Sequence, residues 1–354
     1  MAETRALVKS LFSLTKPRVV VLLQITAMCA ILSHDLIETN KINQSTLEVM
    51  MIVFIGGYLT AGGANCINMW YDRDIDPIMT RTSKRPLSVG DITPKKALLF
   101  GISISIIGTL WLLKMANEVA AFWALFSILF YVFIYTIWLK RTSVQNIVIG
   151  GIAGSTPPVI GWAAAESELE LEFSSAHDFI DSIVNIGGYM PWFMFLLIFL
   201  WTPPHFWALA LYRSGEYEKV GVPMMPNVKG KGRTLVEMKI YSILLILLSL
   251  TTPLAFQEKS NSIELSDLDF NISLAVINSL ILSIWYVLTV WKININDEND
   301  IMPTASHSFF VSLTYLAVMF MILVLTSINF IIKGSIVSTV LVLYIIFRKR
   351  GGKE

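Results

Sequence analysis

The chain has 354 residues, of which 55% are apolar and only 15% charged, with mean hydropathy +0.64 and a formal net charge of +1. Roughly a quarter of a typical soluble domain is charged, and the apolar residues here come in long blocks rather than short alternations, which excludes a soluble enzyme and points to a polytopic membrane protein. Two cysteines, Cys29 and Cys66, both in apolar segments, exclude a disulfide framework and a cysteine metal site; nothing in the composition calls for a nucleic-acid partner.

A helix needs about 18 or more apolar residues to cross ~30 Å of hydrocarbon. Residues 1–17 show neither a cleavable signal nor an acid-free transit sequence, since Glu3 intrudes, so the first span is expected to be retained. Nine spans are predicted: 18–34, 48–70, 97–114, 118–139, 145–163, 187–211, 239–256, 270–291 and 307–332. In lipid every backbone polar group must be satisfied internally, which makes each of them a helix. No Gly/Ser- or Pro-rich linker divides the chain, so the expected architecture is all-α: one bundle, a single membrane-embedded domain over 1–354, around a cavity facing the cytoplasm.

Loop charge alternates along the chain. The tail before span one carries Arg5, Lys9, Lys16 and Arg18. The loop after span two carries Arg73, Arg81, Lys84, Arg85, Lys95 and Lys96, and those after spans four and six add Lys140, Arg141, Arg213, Lys219, Lys229, Lys231 and Arg233. By contrast, the loop after span five holds Glu166, Glu168, Glu170, Glu172, Asp178 and Asp181 without a Lys or Arg, and the loop after span seven is also acidic, with only Lys259 against Glu258, Glu264, Asp267 and Asp269. The positive-inside rule then places the N-terminus and the even-numbered loops in the cytoplasm of a plasma-membrane protein. The loop after span eight, with Lys292 against three acids, fits this least well. The stretch Ser335–Phe347 is followed by Arg348, Lys349, Arg350 and Lys353, which favours a short tenth span returning the tail to the cytoplasm over an interfacial helix on the outer surface.

At the end of span two, Asn68, Asp72 and Asp76 are spaced four apart. On a helix that spacing lines three oxygen side chains along one face. Mg²⁺ takes oxygen ligands and usually binds through one or two carboxylates plus substrate phosphates, and the cations Arg81, Lys84 and Arg85 that follow would clamp free phosphate oxygens. Ordinary surface carboxylates are mostly a solvated helix end. Here Asn65 and Asn68 lie within or against an apolar span, where polar residues are expensive and functional.

In span six, His205 follows Pro203–Pro204, a pair expected to break the helical ladder where a cavity needs irregular backbone. Histidine is the usual protein ligand of heme iron, and a core histidine satisfied by a freed carbonyl explains it equally well. His34, His177 and His307 lie near span ends or in a loop and read as structural or solvated.

Asn68-x-x-x-Asp72-x-x-x-Asp76 resembles the first signature of the UbiA-type membrane prenyltransferases. Leu14-Thr-Lys-Pro-Arg18, Arg81-Thr, Arg85-Pro-Leu87, Leu139-Lys-Arg-Thr-Ser143, the segments 146–154 and 157–162, Trp201–Leu211 and Gly221-Val-Pro-Met224 narrow the resemblance, over about 11–330, to the heme O synthase branch; 331–354 is extra. Where that family has paired aspartates before a tyrosine, this chain has Gly215-Glu216-Tyr217, and its acidic stretch near 165–185 is longer.

The resemblance implies farnesyl diphosphate and heme B as substrates and Mg²⁺ as the cation. The product would be heme O for heme-copper oxidases, with heme A synthase or oxidase assembly proteins as partners in the lipid membrane. It implies Asn68, Asp72, Asp76 and Glu216 as metal ligands. Asp72, Asp76, Arg81, Arg85 and Lys140 would carry catalysis, and Asn68, Lys84, Arg141, His205, Tyr212 and Glu216 would hold substrate. The competing readings are a prenyltransferase with an aromatic acceptor and, from another class, a secondary transporter, which would carry midplane charges and repeated halves.

Overall fold

The computed structural model describes residues 2–256, 270–296, 302–328 and 333–348, and among them every element is a helix. Helix α1 (Ala2–Leu14) precedes the first span and is not among the predicted elements. Its last residue, Leu14, is buried with Cys66, Met69, Ile92 and Ala97, so the tail is packed onto the bundle. The spans begin with α2 (Pro17–Glu38) and α3 (Gln44–Tyr71), the latter opened by Asn43, whose side chain accepts from Thr46 N at 3.0 Å in a capping box. Helix α4 (Pro94–Met115) packs tightly along α3: a Cβ on Gly63 would lie 2.7 Å from Gly101 O, so only glycine allows this approach. Helix α5 (Glu118–Leu129) continues as a π-helix over Phe130–Leu139 and a short α turn, Lys140–Thr142.

Span five is two helices, α6 (Asn146–Ser155) and α7 (Pro157–Ala165), because Pro157 and Pro158 interrupt the amide ladder at Thr156. The acidic loop that follows folds over the far end as α8 (Ala176–Val184): Phe179 meets Phe122 edge-on at 5.6 Å, and Trp123 Nε1 donates to Ile183 O at 3.0 Å. Helix α9 (Met190–Tyr212) corrects one expectation, since it runs through Pro203–Pro204 without a break. The prolines delete two donors, and inside a bundle neighbouring helices and hydroxyl side chains can satisfy the freed carbonyls without unwinding the chain. Short α10 (Ser214–Glu218) leads to α11 (Met225–Leu250), which is kinked at Gly230 and ends beside a turn, Thr252–Ala255. The last three are α12 (Phe270–Trp291), α13 (Pro303–Ser327) and α14 (Lys333–Arg348).

Eight of these segments are long and apolar enough to cross a membrane, matching every predicted span but the seventh. That one falls in α11, whose early turns carry Arg233, Glu237 and Lys239, yet α11 packs between α9 and α12 as a member of the same bundle. Hydroxyl contacts tie it in: Ser249 Oγ lies 2.7 Å from Ser283 Oγ, which lies 3.1 Å from Tyr315 Oη. Such small polar pairs are a usual adhesive between helices in lipid. Apolar side chains such as Leu99, Ile102, Ile106 and Leu110 of α4 remain exposed on the outside, where lipid would meet them. The acidic loop 257–269 and the basic tail beyond Arg348 lie outside the described residues.

Candidate active site

Helix α3 does not carry all three predicted oxygens on one face. It stops at Tyr71 and tightens into a 3₁₀ turn over Asp72–Asp74, so Asn68 is helical, Asp72 caps the end and Asp76 lies in the turn beyond. The reason is local: Ile75 N and Asp76 N both return to Asp72 O, at 3.0 and 2.9 Å, closing the chain on itself. The three side chains still end inside the protein, with exposures of 3%, 0% and 2%. Buried carboxylates require paired charges, and each has them from a different part of the chain.

Asp72 Oδ2 accepts from Lys140 Nζ, delivered by the end of the π-helix, and from Asn68 Nδ2 at 3.1 Å. Asp76 accepts from Arg85 Nη1 at 2.8 and 2.7 Å, one bond to each oxygen. Arg141 is held by Asp74 through two 2.7 Å bonds and lies over the Tyr71 ring, 3.8 Å from Asp72 Oδ1. Arg81 and Lys84 are exposed on the loop between.

Two further residues complete the arrangement, neither assigned a role from sequence. Lys16 Nζ donates to Asn68 Oδ1 at 2.6 Å, and burial, then the nearby Arg85 and Lys140, push its ammonium down to about 7. Thr136, fully buried in the π-helix, accepts from Asn68 Nδ2 at 3.1 Å and donates to Tyr131 O at 2.8 Å. Asn68 is thereby fixed with its oxygen toward Lys16 and its nitrogen toward Asp72. Thr136 was legible as one polar residue in an apolar run; Lys16 lay within a quoted motif but carried no spacing signal.

The second predicted region approaches this end of the bundle. Ile75 packs with Ile147, Ala210, Val222 and Met224, against which Tyr217 rests. Glu216 faces Arg213, whose Nη1 donates to it at 3.0 Å, and Tyr212 meets Phe309 edge-on at 5.9 Å. His205 sits deeper in the core, stacked between Trp201 (4.1 Å) and Phe309 (4.5 Å), with Nδ1 2.6 Å from Ser312 Oγ. That hydroxyl spends its only hydrogen on Phe309 O at 2.6 Å. His205 Nδ1 must therefore carry the proton, leaving Nε2 with the lone pair a metal would need.

No cluster of three or more His, Cys, Asp or Glu stands ready to hold a metal among the described residues. The donor set nevertheless suits Mg²⁺, which completes its shell with phosphate and water. Asp72 Oδ1 is buried and has no hydrogen-bond partner, an oxygen of the kind a hard cation takes. An apolar groove of about 450 Å³ lies between α3, α4 and the span Glu118–Thr142, lined by Ile67, Trp70, Leu98, Leu110, Val132 and Phe133 among others. By helical geometry Ile67 and Trp70 face away from Asn68 and Asp72, so the groove and the acidic site occupy different faces of α3.

A model of the UbiA prenyltransferase family matches residues 26–313. The chain is 40% identical to the protoheme IX farnesyltransferase of Bartonella tribocorum, covering 89% of both chains. It is 36% identical to that of Pelagibacter ubique, covering 90% of this chain and 93% of the relative. Among solved structures, digeranylgeranylglyceryl phosphate synthase superposes with a TM-score of 0.65 at 18% identity, over 93% of this chain and 100% of the other. A UbiA homolog from Archaeoglobus fulgidus, bound to DMAPP and Mg²⁺, gives 0.60 at 15%, over 91% and 100%. At these identities the two structures establish the shared fold.

Proposed function

The chain belongs to the UbiA prenyltransferase family, and on that premise we propose that it moves a farnesyl group from farnesyl diphosphate to a vinyl group of heme B, with addition of water, to give heme O. The observation that carries this reading is the convergence of Asn68, Asp72 and Asp76 with Lys140 and Arg85 at one end of an apolar bundle. A lipid-soluble diphosphate brings its charge to such an end and leaves its chain in the membrane. Membership in this family also sets aside the transporter reading.

Asn68, Asp72 and Asp76 would hold Mg²⁺, whose chemistry when bound is to neutralise the diphosphate as charge accumulates on it. Glu216 is a further candidate ligand, and Arg213 would have to release it. Lys140 and Arg85 are placed to exchange their carboxylates for phosphate oxygens, with Arg81, Lys84 and Arg141 around them. The allylic C–O bond breaks and its electron pair leaves on the diphosphate. The vinyl π electrons then form the new C–C bond, and water adds to the cation left beside the porphyrin, releasing a proton. No side-chain nucleophile takes part. His205 would meet heme iron through Nε2, and Tyr212, about two helical turns further along α9, would line the same side.

We propose also that the protein is one domain with its site end in the cytoplasm. The support is charge: Arg73, Arg81, Lys84, Arg85, Lys140 and Arg141 share the site end, whereas Glu166–Glu172 gather at the other. The deciding experiment supplies membranes containing this chain with farnesyl diphosphate. Pyrophosphate is expected only when heme B is added, with a product of the mass of heme O. Release driven instead by a phenolic acceptor would replace heme by an aromatic substrate.

A further inference from the structure

Lys16 is held in place by more contacts than a linker residue needs. It stands between α1 and α2 with φ 51° and ψ 62°, a left-handed conformation that non-glycine residues rarely adopt and that persists where surrounding structure enforces it. The enforcement is visible. Thr15 N and Lys16 N close onto Phe12 O and Ser13 O, both at 3.2 Å, and Val19 N returns to Lys16 O at 2.9 Å. Asn65 Nδ2 reaches across from α3 to Thr15 O at 3.3 Å, and Thr15 Oγ1 joins Phe12 O and Tyr58 Oη at 2.7 and 2.8 Å. The product of this scaffold is an ammonium carried inward to the acidic site.

What it meets there is a neutral amide. An ammonium has three protons to donate, and among the described residues Nζ makes one hydrogen bond, to Asn68 Oδ1. The carboxylates are taken: Asp72 by Lys140, Asp76 by Arg85. Against those two acids stand three cations, Lys16, Lys140 and Arg85, so Lys16 is the positive charge in excess. A cation brought inside without a carboxylate of its own is unfavourable, and an arriving anion would relieve it. Asn68 is also turned the wrong way for metal binding, because Lys16 occupies the amide oxygen that a hard cation would require.

We propose that Lys16 is a diphosphate-binding residue, which yields the Asn68 amide oxygen and transfers its ammonium to a phosphate oxygen when substrate enters. The inference rests on the prenyl-diphosphate reading given above. Both halves of the exchange improve the site: the excess cation gains an anion, and the Asn68 amide oxygen is released for a hard cation.

The test measures binding to the full chain in lipid nanodiscs, using farnesyl thiolodiphosphate with Mg²⁺ and, separately, uncharged farnesol. Lys16→Met is expected to weaken thiolodiphosphate binding by about tenfold or more, as for loss of a hydrogen bond to a charged group, and to leave farnesol binding unchanged. Lys16→Gln, which keeps a donor for Asn68 and removes the charge, should lose as much, and Lys16→Arg should recover most of the affinity. Parent-like thiolodiphosphate binding by Lys16→Gln would overturn the proposal, reducing Lys16 to a peg for Asn68. An equal loss for farnesol and thiolodiphosphate would overturn it as well. Failure of the parent chain to bind thiolodiphosphate would instead sink the prenyl-diphosphate reading itself.

Discussion

Asp72 has one oxygen engaged by Lys140 and Asn68, while the other is buried without a hydrogen-bond partner. That asymmetry makes it the central residue of the site. We predict that Asp72→Asn, which is close to isosteric, lowers the rate of transfer by about 10²–10³-fold or more while the protein stays folded; parent-like turnover would move the diphosphate site elsewhere. His205 poses a different question, because stacking between Trp201 and Phe309 is what a structural histidine would also do. If Nε2 meets heme iron, His205→Ala alters the visible spectrum of the heme-loaded protein and spares diphosphate binding. An unchanged spectrum with a lowered thermal midpoint would return it to the core.

At the scale of the element, the π-helix Phe130–Leu139 is the part of the fold most directly fitted to the chemistry. Each of its turns takes more residues than an α turn, which changes the azimuth of everything after it. Thr136 meets Asn68, and Lys140, just beyond, meets Asp72. π segments recur at functional sites for this reason. Thr136→Val keeps the shape and removes both hydrogen bonds of the hydroxyl. The expected result is several-fold weaker Mg²⁺-dependent diphosphate binding, from the loss of about 1 kcal/mol, with helix content by circular dichroism unchanged. Parent-like affinity would mean that Lys140 alone orders this side of the site.

For the molecule as a whole, the open matter is the last helix. Helix α14 packs on α12 and α13, Val342 is buried, and Asn278 Nδ2 donates to Ser338 Oγ at 3.0 Å and Thr339 Oγ1 at 2.9 Å. A helix lying alone on an outer surface would have little reason to bring those hydroxyls to an asparagine within α12. Its 16 residues span about 24 Å at ~1.5 Å per residue, short of ~30 Å but within reach when basic residues mark the end. We predict that Gly352→Cys, in a background lacking Cys29 and Cys66, escapes an impermeant maleimide on intact cells and reacts once the membrane is opened. Labelling of intact cells would place the tail outside and remove the tenth span.

The sequence by itself determined the solvent, the approximate place of eight of the nine predicted spans, and the family, because hydrophobic length and an ordered set of motifs are properties of the chain alone. It also named the residues that meet at the site: Asn68, Asp72, Asp76, Arg85 and Lys140 are all candidates in the chain alone. Tertiary structure decided how they pair. Asp76 leaves the helical ladder because the chain tightens after Tyr71, and α9 carries Pro203–Pro204 without a break because its neighbours hold it. The packed N-terminal helix and the pairing of Lys16 and of Thr136 with Asn68 lay beyond reach of the sequence for one physical reason. Each contact joins residues more than fifty positions apart or depends on the azimuth of a π turn, and neither distance along a chain nor hydrophobic period carries that information.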